Sequence, residues 1–194
     1  MATKPASKKP STAKSAAQKP SDKAPAAKKP APAKAPSPAT VVLTEGDSAP
    51  AFSLPGAGGE TVSLAALKGK KIVLYFYPKD DTSGCTKEAI EFNGLREKFA
   101  KAKTVVVGMS PDSVKSHDKF REKYELALPL AADENKEILS AYGVWVEKSM
   151  YGRKYMGVER TTFLIDAKGK IAKIWRKVKV PGHAEEVLGA AEAL

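Results

Sequence analysis

From Val41 onward the chain alternates short apolar runs with segments whose apolar residues recur every three or four positions, the pattern of strands followed by helices. Residues 71–77 (KIVLYFY) and 104–110 (TVVVGMS) are unbroken β-branched and aromatic runs, which predicts strands buried on both faces. The first run leads into residues 86–99, where Ala89, Phe92, Leu95 and Phe99 fall on one helical face. The second leads into a helix over 113–124, opening on Ser113 as its N-cap. Residues 136–142 predict a short helix, 161–165 and 171–178 two further strands, and 184–194 a closing helix. Asp166-Ala-Lys-Gly169 is a turn signal that joins the last two strands as a hairpin. Within residues 46–69, Phe52-Ser-Leu54 and Thr61-Val-Ser-Leu64 predict another hairpin, added at the sheet edge.

Two strand–helix units, a hairpin and a terminal helix describe an α/β protein with a mixed central sheet flanked by helices, the layout of a thioredoxin-like fold. Composition confines that fold to residues 41–194. Residues 1–40 hold 12 Ala, 9 Lys, 8 Pro and 5 Ser, with Asp22 as the only acid and no Leu, Ile, Val, Phe, Tyr or Trp. Such a stretch lacks the apolar surface to offset the entropy of ordering, so it is predicted to be a disordered basic tail. It carries +8 of the chain's formal +11, leaving the body near neutrality at +3. Lysines without interleaved aromatics neutralise phosphates but cannot read bases, so the tail is either a solubilising arm or a weak, non-specific, salt-sensitive tether to nucleic acid. The longest apolar run, 72–77, is too short for a membrane span or a secretory signal. A single cysteine, Cys85, excludes an internal disulfide and suits a reducing compartment. The expected location is the cytoplasm, with the tail as a candidate nucleoid or nuclear address.

Candidate chemistry lies between the first buried strand and the first helix, in Pro78-Lys-Asp-Asp-Thr-Ser-Gly-Cys85. In an open α/β sheet, ligands bind beyond the carboxyl ends of the strands, and this loop points a thiol there. A helix N-terminus and a nearby cation favour thiolate over thiol. Reduction of a peroxide by a thiolate is an in-line displacement that needs partners for both oxygens. Thr82 offers a hydroxyl, the amides of Gly84 and Cys85 lie in the same turn, and a cation must come from elsewhere. Pro78 stiffens the strand exit and shields the thiolate. The residues alone leave alternatives open: a lone cysteine is commonly a small buried hydrophobe, and Thr82 could serve only as a helix cap.

YFYPKDDTSGCTKEA resembles the Pro-x-x-x-Thr-x-x-Cys signature of the peroxiredoxins, most nearly their Q-type, or bacterioferritin-comigratory, subgroup. The similarity continues in order through Gly46–Leu54 (GDSAPAFSL), Val107–Val114 (VGMSPDSV), Ala141–Trp145 (AYGVW), Met150–Gly157 (MYGRKYMG), Arg160–Asp166 (RTTFLID) and Trp175–Val178 (WRKV). It implies that Cys85 is the peroxidatic nucleophile, that Thr82 hydrogen-bonds the peroxide, that Pro78 shields the pocket and that Arg160 is the missing cation. By itself Arg160 reads as a surface charge. The implied substrates are hydrogen peroxide and small organic hydroperoxides, with no metal or organic cofactor, and the implied oligomeric state is a monomer or weak dimer.

Two positions depart from the family pattern. Ile90 stands where many Q-type members carry a resolving cysteine, so the Cys85 sulfenic acid requires an external thiol such as thioredoxin, a glutaredoxin or glutathione. Ser83 replaces the usual proline, which predicts a looser loop. The tail lies outside this resemblance and is similar to the lysine-alanine-proline tails of linker histones. Asp80 and Asp81 read as solvated loop acids, His183 as a cap or surface residue, and Trp145 and Trp175 as packing residues. The competing functional classes are a polyanion-binding protein with a thioredoxin-like scaffold and a redox-inactive, chaperone-like domain.

Overall fold

A computed structural model of the chain describes residues 41–150 and 152–194, without the side chain of Met150. The predicted basic tail, residues 1–40, lies outside the described residues, as does Tyr151 of the 150–157 motif. The strands are β1 Ser53–Pro55, β2 Thr61–Ser63, β3 Lys71–Phe76, β4 Thr104–Ser110, β5 Leu130–Ala132, β6 Trp145–Met150, β7 Arg153–Val158, β8 Thr161–Ile165 and β9 Ile171–Arg176. The helices are α1 Ser83–Gly94, α2 Arg96–Lys101, α3 Val114–Tyr124, α4 Glu137–Ala141 and α5 His183–Ala193.

The central sheet runs β5-β4-β3-β8-β9, with β3, β4 and β5 parallel and β8 and β9 antiparallel to their neighbours. This is the mixed, helix-flanked sheet of a thioredoxin-like protein. The unbroken apolar run of β3 has a direct cause. Ile72, Leu74 and Phe76 pack into one core with Met109, Phe163, Tyr142 and Leu139, while Val73, Tyr75 and Tyr77 pack into the opposite core with Cys85, Phe92, Phe99 and Val187. Both faces of the strand are covered, so neither alternate set can be polar. Gly108 of β4 faces Tyr75 across the ladder, and a Cβ there would lie 2.7 Å from the Tyr75 ring and 2.8 Å from Leu130. The tyrosine ring occupies the space a side chain would need.

The 161–165 strand and the β8–β9 hairpin stand as predicted, and Ser113 caps α3, its Oγ accepting from the Ser116 amide at 3.3 Å. The edge hairpin is present as the antiparallel pair β1–β2, joined to β5 through a bridge between Gly56 and Ala131. Three expectations change. The helix predicted over 86–99 begins at Ser83 and breaks at Leu95 (φ −95°, ψ 1°) into α1 and α2, just after Gly94, a residue with weak helix preference. The last strand ends at Arg176, and Lys177 takes a left-handed conformation (φ 52°). The hairpin β6–β7 and the short β5 had no counterpart in the sequence reading.

Candidate functional site

Cys85 is the third residue of α1, where backbone N–H groups have no partner within the helix. No side chain caps this end: the hydroxyl of the N-cap residue Thr82 donates to the Lys79 carbonyl at 3.1 Å instead. The helix therefore presents free amides and its positive dipole end around Cys85. The thiol is 1% exposed and packs among Tyr75, Tyr77 and Phe92.

Arg160, between β7 and β8, reaches the same point from the other side. Its Nη2 donates to Cys85 Sγ at 3.2 Å and its Nη1 to Glu88 Oε2. Burial works against the Arg160 charge, but Glu88 and Cys85 outweigh it and hold the guanidinium more firmly protonated than usual. Glu88 sits one helical turn after Cys85 and is 1% exposed. Its second oxygen, Oε1, has no hydrogen-bond partner among the described residues. Burial raises its pKa to about 7 despite the opposing pull of Arg160. A planar fork binding a sulfur with one nitrogen and a carboxyl oxygen with the other is a geometry that lysine could not supply.

Of the four residues singled out in the sequence, Cys85 and Arg160 are in direct contact. Thr82 is exposed at the mouth of the same turn, and Pro78 is half-buried where the chain leaves β3. The Thr82 hydroxyl donates its proton to the Lys79 carbonyl, which leaves the lone pairs of Oγ1 to accept. Ile90, at the position of the absent resolving cysteine, is 47% exposed on the outer face of α1. It lines an open groove with Thr86, Lys87, Lys123 and Tyr124.

Glu88 was missed in the sequence. Its signal was a glutamate on the otherwise apolar stripe of α1, between Cys85 and Ala89–Phe92, where a carboxylate needs a buried cation. Two bland readings are also corrected. Asp80 is not solvated: it is 6% exposed and accepts hydrogen bonds from Tyr77 Oη and Ser116 Oγ. His183 is neither cap nor surface residue; Gly182 holds the N-cap position of α5, and the imidazole is buried with Nε2 2.8 Å from Thr162 Oγ1. Asp81 remains exposed, paired with Lys123, and both tryptophans pack against the cores.

The pattern of the AhpC/TSA family matches residues 45–174. The chain is 54% identical over 144 residues to a putative peroxiredoxin bcp of Coxiella burnetii, covering 74% of this chain and 95% of that protein. It is 50% identical over 143 residues to peroxiredoxin Bcp of Bacillus subtilis, covering 74% and 91%. Among solved structures, Xanthomonas campestris peroxiredoxin Q superposes with a TM-score of 0.71 at 46% identity, over 73% of this chain and 90% of that one. A cysteine-to-serine mutant of Xylella fastidiosa PrxQ gives 0.75 at 41% identity, over 79% and 98%.

Proposed function

The chain belongs to the AhpC/TSA family as a peroxiredoxin of the Bcp, or Q, type, and from that premise we propose how its residues divide the work of a thiol-dependent peroxidase. The carrying observation is the contact of Arg160 Nη2 with Cys85 Sγ at the uncapped end of α1. The cation and the helix dipole place positive charge beside sulfur, and burial keeps it clear of bulk water.

The Cys85 thiolate attacks the terminal oxygen of a hydroperoxide. An S–O bond forms as the O–O bond breaks, sulfur loses two electrons, and the leaving oxygen departs as hydroxide or alkoxide and takes a proton to give water or an alcohol. Arg160 stabilises the thiolate before attack and the departing oxygen during it. Thr82 Oγ1, its own proton held by Lys79, accepts the hydrogen bond of the peroxide O–H and orients it. The free amides of the first turn face the same oxygens. Pro78, without an N–H to solvate, keeps the strand exit rigid and dry. Among relatives, alkyl peroxide reduction is an activity of the Xanthomonas campestris bacterioferritin comigratory protein. Small organic hydroperoxides are accordingly the proposed substrates beside hydrogen peroxide.

Cys85 is the only cysteine, so the sulfenic acid condenses with an external thiol, releasing water and leaving a mixed disulfide. A second thiol then regenerates Cys85. The proposed reductants are thioredoxin, a glutaredoxin or glutathione, acting on a monomer or weak dimer in the cytoplasm. Residues 41–194 form the proposed peroxidase domain. No helix among the described residues is long and apolar enough to cross a membrane. The tail's +8 charge supports a weak polyanion tether, which predicts DNA retention that vanishes at high salt and on deletion of residues 1–40.

Stopped-flow oxidation of the reduced protein by hydrogen peroxide and by an alkyl hydroperoxide tests the central reading. Oxidation should be orders of magnitude faster than that of a free thiol, absent in Cys85→Ser, and slowed by about 10²–10³ in Arg160→Ala. A wild-type rate no better than free cysteine would sink it.

A further inference from the structure

The loop that carries Thr82 toward Cys85 is tied at its surface by Asp81 to Lys123 and in the interior by Asp80. Its carboxylate accepts from Tyr77 Oη at 2.8 Å and Ser116 Oγ at 2.7 Å, and His117 Nδ1 lies 2.8 Å from Oδ2. Its backbone N–H donates to Asp112 Oδ2 at 2.8 Å, which also receives Ser110 Oγ at 2.7 Å. A single position thus joins the loop to the end of β3, the end of β4 and the first turn of α3. The His117–Asp80 pair is buried, at 0% and 4% side-chain exposure. The far nitrogen of the ring, Nε2, lies 3.2 Å from the Ala131 carbonyl of β5. The ring is thus held at both ends, by the loop on one side and by the sheet edge on the other.

We propose that His117 is a positioning residue for the peroxide step: held between Asp80 and the Ala131 carbonyl, it fixes the 78–82 loop, and with it the first turn of α1, so that Cys85 Sγ stays against Arg160. His117 touches neither sulfur nor peroxide. The proposal rests on the reading of Cys85 as the nucleophile and adds a consequence for the second half of the cycle. Cys85 is 1% exposed, so an external thiol reaches its sulfenic acid only when the first turn loosens. The same anchor therefore favours oxidation and restrains reduction. Without it, the two half-reactions should move apart.

The test measures both half-reactions in His117→Gln and Asp80→Asn: oxidation of reduced Cys85 by hydrogen peroxide, and reduction of the sulfenic form by dithiothreitol. Oxidation should fall by at least about tenfold, the scale of a small misplacement of reacting groups, while reduction holds its rate or rises. A merely structural role would lower both rates together with the folded fraction. Hydrogen exchange of the first-turn amides of α1 gives an answer that a folding defect does not mimic: it should quicken in both variants while the amides of β3 and β4 keep their protection. Oxidation at the wild-type rate in either variant, parallel loss of both half-reactions, or first-turn exchange unchanged from the wild type would each overturn the proposal. Slow oxidation of the wild type itself would instead overturn the reading of Cys85.

Discussion

Glu88 sits one turn from Cys85, and Arg160 binds both groups at once. The guanidinium has one orientation that satisfies both, so the carboxyl acts as a stop that keeps Nη2 aimed at sulfur. Glu88→Ala removes the stop while leaving the cation, and peroxide oxidation of Cys85 should slow by about ten- to a hundredfold in stopped-flow traces. Thr82 admits a sharper comparison, because its Oγ1 is proposed as an acceptor with its proton already placed on Lys79. Thr82→Val deletes that oxygen and should lower the oxidation rate by about 10²–10³, the cost of losing one preorganised partner in the transition state. Thr82→Ser restores the oxygen and should recover most of the loss. A wild-type rate in Thr82→Val with a slowed Thr82→Ser would show that the methyl group, not the hydroxyl, carries the residue's role.

At the scale of elements, legibility followed the strength of the local signal. β3, β4 and β8 were plain in the sequence because double-sided burial leaves unbroken apolar runs, and α3 was plain because Ser113 marks its start. The β6–β7 pair, WVEKSM against RKYMGV, interleaves charges with apolar residues and gives no comparable run. β5 has three residues and owes its place to pairing with β4 rather than to its own pattern. The break between α1 and α2 was hidden because Leu95 and Phe99 continue the apolar spacing across it. Two substitutions test the local causes. Ser113→Ala should cost about 1 kcal/mol, read from the urea midpoint, as an N-cap is lost. Gly108→Ala should cost about 1–3 kcal/mol, because the Tyr75 ring and Leu130 already fill the space for a Cβ and must shift.

The site is a property of the whole molecule, and that explains which parts of it the sequence revealed. Cys85 and Thr82 are neighbours in one loop, and their spacing could be read directly. Arg160 is 75 residues away in the chain and reaches sulfur only because β8 pairs antiparallel with β3. Asp80, His117 and His183 look like ordinary surface residues in sequence, since nothing local announces their burial, whereas Glu88 interrupts the apolar stripe of α1. Two of them give the folded protein a pH signature. Burial raises Glu88 from an ordinary 4.5 to about 7, so the stability linked to its proton is full below 4.5 and is lost as pH rises toward 7. Burial lowers His183 from 6.5 to about 4, with Glu186 opposing, so the stability linked to its neutral form is full above 6.5 and is lost as pH falls toward 4. Each swing amounts to about 3 kcal/mol at most, in opposite directions over nearly the same interval. The two therefore offset one another in the wild type between roughly pH 4.5 and 6.5. Removing either should unmask the other. In urea titrations across this interval, Glu88→Gln should gain stability relative to wild type as pH rises, because the cost of ionising Glu88 is gone and the His183 slope remains. His183→Gln should lose stability relative to wild type over the same rise. Slopes unchanged by both substitutions would mean that neither group's proton is linked to folding.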